Sequence, residues 1–129
     1  MAAVFLMAVF SAAAAADPLA GSEWRPVALN GEPLPEPHEL FVRFEGAKRV
    51  FVNGGCNHFT GHYRLQGREL LLNTSARTRN ACDDDRIALE RALLDIVQMP
   101  HRFQRQRARL VLEDAHGVAV ARFVQTDWD

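Results

Sequence analysis

The sequence has no surplus of either charge: 15 basic side chains stand against 16 acidic ones, a formal net charge of −1. Nucleic-acid binders neutralise phosphates with a strong basic excess, so nucleic acid is excluded as a partner class. Cysteine is scarce: Cys56 and Cys82 are the only two, and no C-x-x-C pair occurs. Neither lies near the N-terminus, which removes a lipid anchor on a new terminal cysteine. No apolar run reaches the roughly 20 residues that cross a hydrocarbon core, so no transmembrane span is expected. Ser11, Ser22 and Ser75 lie in no nucleophile-elbow sequence, and neither a phosphate-cradling glycine loop nor a hydride-cofactor fingerprint occurs. These absences predict a non-enzymatic protein with no catalytic residues, cofactor or metal.

What is present describes one small globular domain. The 129 residues are 48% hydrophobic and 24% charged, enough for a single modest core and too few for two. The first sixteen carry no charge; residues 1–10 are almost wholly apolar, and Ser11 leads into five alanines before Asp17. That order reads as a secretory signal peptide cut before Asp17. It leaves a soluble, monomeric periplasmic domain of residues 17–129. No Lys or Arg precedes the apolar run, so either the true start lies upstream or the α-amino group supplies the positive end.

Along the mature chain, residues 17–22 read as a short polar lead-in. Residues 24–29 alternate as a first strand, which Pro26 places at a sheet edge, and three prolines within residues 32–37 make the next segment an extended loop. Leu40, Val42 and Phe44 share one strand face, and residues 45–48 turn into a partner at 49–53. Gly54-Gly55 breaks that strand and implies positive φ or a bulge. Residues 63–65 and 69–73 flank a Gln66-Gly67-Arg68 turn, and residues 73–81 read as a polar, irregular crossing loop. Asp83-Asp84-Asp85 opens the one convincing helix. Leu89, Ala92, Leu93, Ile96 and Val97 form its apolar stripe, and Pro100 stops it. Residues 103–106, 109–113 and 118–125 return to strands. About seven short antiparallel strands hide their edges by curling into a small barrel-like sheet, mainly β, with the helix over one end or seam.

Two constellations carry candidate chemistry. Once exported, Cys56 and Cys82 more often pair than stay free, and closing a loop of that length contributes roughly 3.5 kcal/mol in the chain-entropy model. Two reduced core cysteines are the alternative. Cys56, His58 and His62 share strand parity, so with Cys82 they could instead ligate zinc or copper, although Gly61 is expected to break that parity. The acidic triplet points three ways and suits a helix cap, with neither calcium-loop nor acid/base spacing. Arg102, Arg105, Arg107 and Arg109, with Phe103 interleaved, offer a solvated strand face or a seat for an anionic ligand such as a lipid head group. An enzyme of unknown type would need His58 or His62 to meet a carboxylate in a cleft.

Trp24 with the Asn30-Gly31 turn, Gly54-Gly55-Cys56-Asn57 followed by Gly61-His62-Tyr63, Thr78-Arg79-Asn80-Ala81-Cys82, and Glu90 and Leu94 in a helix before a closing hairpin resemble the META domain, also called the HslJ-like family. The similarity runs over residues 24–123. It implies a mainly β, barrel-like fold with one helix, exported or attached to the bacterial envelope. It also implies association with heat-shock and antibiotic-tolerance phenotypes and, in some members, with secretion, motility or virulence. No established catalytic residue, cofactor or substrate comes with it. Asn80 stands where the family commonly has an apolar residue, often methionine, and the lipoprotein cysteine of several relatives is missing. The motif residues Trp24, Gly54, Gly55, Asn57, Gly61, Tyr63 and Thr78 are expected to be architectural. The glycines bend the chain, Cys56 ties that bend to the loop before the helix, and Asn57 satisfies backbone groups left over at the break. Function is then expected in binding, either to an envelope protein or to a small apolar or anionic ligand, the apolar one at a barrel mouth.

Overall fold

The computed structural model describes residues 2–7 and 16–126; the Ser11 and alanine stretch of the expected leader, apart from Ala16, lies outside the described residues. Alternating apolar residues produce nine strands: β1 (Ser22–Leu29), β2 (Glu32–Pro33), β3 (Phe41–Phe44), β4 (Arg49–Asn53), β5 (His58–Gln66), β6 (Glu69–Arg77), β7 (His101–Gln106), β8 (Arg109–Glu113) and β9 (Ala119–Thr126). Helix α1 (Asp84–Val97) lies between β6 and β7 in the chain, with Asp83 capping the Arg86 amide. The antiparallel order is β2-β1-β3-β4-β5-β6-β7-β8-β9, and β1 pairs again with β9. The sheet therefore closes into a ring of hydrogen bonds, the mainly β, barrel-like arrangement the sequence predicts.

Inward side chains fill that ring. Trp24, Val42, Phe44, Val50, Val52, Phe59, Tyr63, Leu70, Leu72, Leu110, Leu112 and Phe123 are buried, and α1 adds Leu93, Ile96 and Val97 to the same core. The void left among them is about 10 Å³ and lined by apolar groups, too small and too apolar for more than one water. An apolar ligand has no room inside.

Three local expectations are overturned. β1 pairs with both β3 and β9, so it is not an edge strand; its pairing with β3 stops at Trp24, and Pro26 sits past that point, where the β1–β9 register slips between Pro26 and Ala28, a place that tolerates the missing N–H. β6 continues to Arg77 through the segment expected to be a crossing loop, because residues 73–77 pair on with β5 around a register shift opposite Thr60 and Gly61. The lead-in, expected to be polar, carries a core residue: Leu19 is fully buried and the Asp17 carboxylate accepts the Leu19 and Ala20 amides at 2.8 and 3.1 Å.

Candidate functional site

The glycine corner follows β4. Gly55 has φ +92°, and its amide donates to Asn53 Oδ1 at 2.9 Å. At Gly54 a Cβ would collide with the Glu90 carboxylate, so only glycine lets α1 pack this closely. Cys56 and Cys82 form a disulfide with Cα atoms 5.9 Å apart, joining the corner to the residue before the helix cap.

Glu90 projects from the inward face of α1 and is 7% exposed. Its carboxylate accepts the Asn57 backbone amide at 2.5 Å and Asn57 Nδ2 at 3.2 Å. Asn57 Oδ1 in turn accepts Thr78 Oγ1 at 3.1 Å and the Asn80 amide at 2.6 Å, and Thr78 Oγ1 accepts the His58 amide at 2.9 Å. Asn80 uses its Nδ2 on the Cys56 carbonyl at 3.2 Å. Cys56, Asn57, Thr78, Asn80, Cys82 and Glu90 thus make one polar knot. Among the described residues no buried side-chain nitrogen or oxygen lacks a partner. In the sequence Glu90 stands only among the residues of the family resemblance, with no role assigned; its place at i, i+3, i+7 with Leu93 and Val97 on the buried stripe is the physical signal.

The remaining candidates do not gather. β5 keeps strict alternation through Gly61, contrary to expectation, because the extra bulge residue lies in β6. His58 and His62 consequently both face outward and exposed, while both sulfurs are committed to each other, so the zinc or copper quartet is not assembled. His58 packs 5.2 Å from the Phe51 ring, and among the described residues neither histidine pairs with a carboxylate. The buried histidine is His38, whose Nδ1 accepts the Leu40 amide at 3.1 Å and whose Nε2 donates to the Pro26 carbonyl at 2.9 Å. Burial and then the nearby Arg25 guanidinium lower its pKa, so the ring stays neutral with both nitrogens occupied. The arginine cluster is dispersed: Arg105 donates to the Pro18 carbonyl and to Gln125 and lies 5.0 Å over the Trp24 ring, while Phe103 is buried.

Trp24 and Tyr63 hold the other end. Trp24 Nε1 donates to Ser22 Oγ at 2.7 Å, and Tyr63 Oη donates to Asp17 Oδ2 at 2.7 Å. Lys48 pairs with that same carboxylate. Partial burial pushes the Asp17 carboxyl up, yet Lys48, Tyr63 and the Leu19 and Ala20 amides outweigh it and hold the pKa at about 2. Burial and the Asp17 contact push the Tyr63 phenol above its ordinary range. Gly61 meets the β6 backbone so closely that a Cβ would strike the Asn73 carbonyl.

Hollows flank α1 on the outside. A groove of about 450 Å³ runs between residues 74–77 of β6 and the Ile87, Arg91 and Leu94 side of α1, with Phe59 and Asn57 at its floor. A smaller one of about 270 Å³ lies among Pro37, Leu40, Gly54, Gly55, Arg86 and Leu89.

A family model for the META domain matches residues 17–127. No curated protein sequence matches the chain. Among solved structures, the NMR structure of a protein from Burkholderia xenovorans is similar with a TM-score of 0.66 at 20% identity, covering 96% of this chain and 100% of that one. The crystal structure of a DUF4847 family protein from Bacteroides vulgatus gives 0.59 at 14%, covering 86% and 96%. At these identities the likeness is one of fold.

Proposed function

Because the chain belongs to the META domain family, we propose that it is an exported, non-enzymatic binding module of the bacterial envelope, serving under heat or antibiotic stress. One observation carries this reading: the polar and sulfur chemistry of the glycine corner is spent internally. Each polar partner in the Asn57–Glu90 knot satisfies another, and both sulfurs are bonded. A carboxylate turned to two N–H donors and a pair of bonded sulfurs make a poor acid, base or nucleophile, and the ring interior is filled, so recognition falls to the outer surface. A disulfide suits an oxidising compartment. Val4, Phe5, Leu6 and Met7 stand 85–91% exposed, as a leader outside the fold does, and no helix among the described residues is long and apolar enough to cross a membrane.

The test is expression of the full chain with a C-terminal tag in a Gram-negative host. Osmotic shock is expected to release a product whose N-terminus is Asp17, and in-cell cross-linking is expected to capture a partner more strongly after heat or antibiotic treatment. Retention of the leader in the cytosol, or capture that is the same with and without stress, refutes the reading.

A further inference from the structure

The ring leaves the outer edge of β6 open over most of its length. β7 pairs with β6 only at Glu69 and Leu70; beyond that point no strand covers the outer edge of β6, and α1 stands across the groove instead. Proteins normally cover, bulge or charge such an edge, because its free N–H and C=O groups template another chain. Gln98 Nε2 donates to Thr74 Oγ1 at 3.0 Å and closes one end of the groove. From there residues 74–77 extend about 10 Å at strand rise, room for a short stretch of extended chain.

The walls say what that chain carries. On α1, Ile87, Arg91 and Leu94 fall at i, i+4, i+7, a second stripe beside the core face, with Ile87 and Leu94 half-buried and Leu94 packed against the edge of the core. They offer apolar contact to alternate side chains of an added strand. Arg91 on this wall and Arg77 on the opposite one are exposed, and among the described residues no carboxylate pairs with either. Glu90 lines the groove too, but its oxygens are turned to Asn57. Asp95 is the one acidic side chain of the lining left over, against two cations.

We propose that the groove between β6 and α1 receives an extended segment of a partner protein, added as a further strand on the β6 edge with an acidic side chain between Arg77 and Arg91. This rests on the binding-module reading and names its surface. The probes are blocked octapeptides alternating threonine with glutamate, the same peptide with lysine for glutamate, and the glutamate peptide N-methylated at alternate residues. Each is titrated into the disulfide-intact protein made from the full chain, followed by amide NMR and hydrogen exchange. The glutamate peptide is expected to shift and protect amides of residues 72–77. The lysine and N-methylated peptides are not. Arg77→Glu/Arg91→Glu, both exposed positions, is expected to keep the melting temperature, weaken the glutamate peptide roughly tenfold and gain the lysine peptide. Shifts mapping elsewhere, equal binding of both charges, no loss on N-methylation, or edge protection that grows with protein concentration alone, as a second copy would give, overturns the proposal. A stress-dependent partner that the double variant still captures overturns the groove and leaves the binding-module reading standing.

Discussion

Glu90 accepts two N–H donors from one residue, Asn57, in a site closed by Gly54 beneath it. Both donors need a negative or lone-pair oxygen, and Glu90→Gln supplies only one. Its amide nitrogen then faces Asn57 Nδ2, donor against donor, in a buried setting. The expected cost is about 1–3 kcal/mol, measured by thermal or urea unfolding with the disulfide intact; a change under about 0.5 kcal/mol, the level of an ordinary surface substitution, counts against the knot. At the opposite end of the ring, the Asp17 carboxyl drops from 3.8 to about 2 on folding. A lowered carboxyl pKa stabilises the fold above the unfolded value and loses that contribution as pH falls from about 4 through 2. The full shift corresponds to about 2.4 kcal/mol; half-exposed Lys48 lets solvent screen the pair, leaving about 1–2 kcal/mol. Urea midpoints at pH 5 and pH 2 should therefore converge for the wild type and Asp17→Asn in acid and differ at pH 5. Parallel profiles would show that Asp17 does not hold the lead-in down.

At the scale of elements, most of the fold was legible because period-two alternation survives wherever one strand face is buried. Val50 and Val52, Leu110 and Leu112, and the helical stripe of Leu93, Ile96 and Val97 all fall where their spacing puts them. The misreadings at Pro26 and in β6 share one cause, a bulge that sequence alone does not display. A slip beside Pro26 lets proline into an interior strand, and a slip opposite Gly61 interrupts β6 at Ser75. Asn73, Ser75 and Arg77 then look like a loop, although they are exposed positions of a paired strand. The disulfide pair was readable from the expected export and the cysteine count. The role of Glu90 was not, because an acid on a helix usually faces water, and apart from the family resemblance its alignment with Leu93 and Val97 is what marks it. The groove was hidden for a different reason: it exists because β7 leaves β6 after two residue pairs, a fact of tertiary pairing with no local signature.

For the whole molecule, the closed ring and the helix are joined by unequal means. Eight of the strands hold one another through the ladder that runs from β1 round to β9, whereas α1 is fixed by its core residues, by the Glu90–Asn57 contact and by the Cys56–Cys82 bond just before its cap. Cutting the bond by Cys82→Ser returns loop entropy to the unfolded chain and should lower stability by roughly 2–4 kcal/mol. It removes no ladder hydrogen bond, so the loss should not be uniform. Hydrogen exchange in the variant is expected to rise most in α1 and residues 54–58, and least in β8 and β9, which stay paired on both sides. An unchanged melting temperature would mean the bond contributes nothing to the oxidised fold. An equal rise everywhere would mean that ring and helix unfold as one unit, and that α1 cannot loosen at the groove without the sheet coming apart.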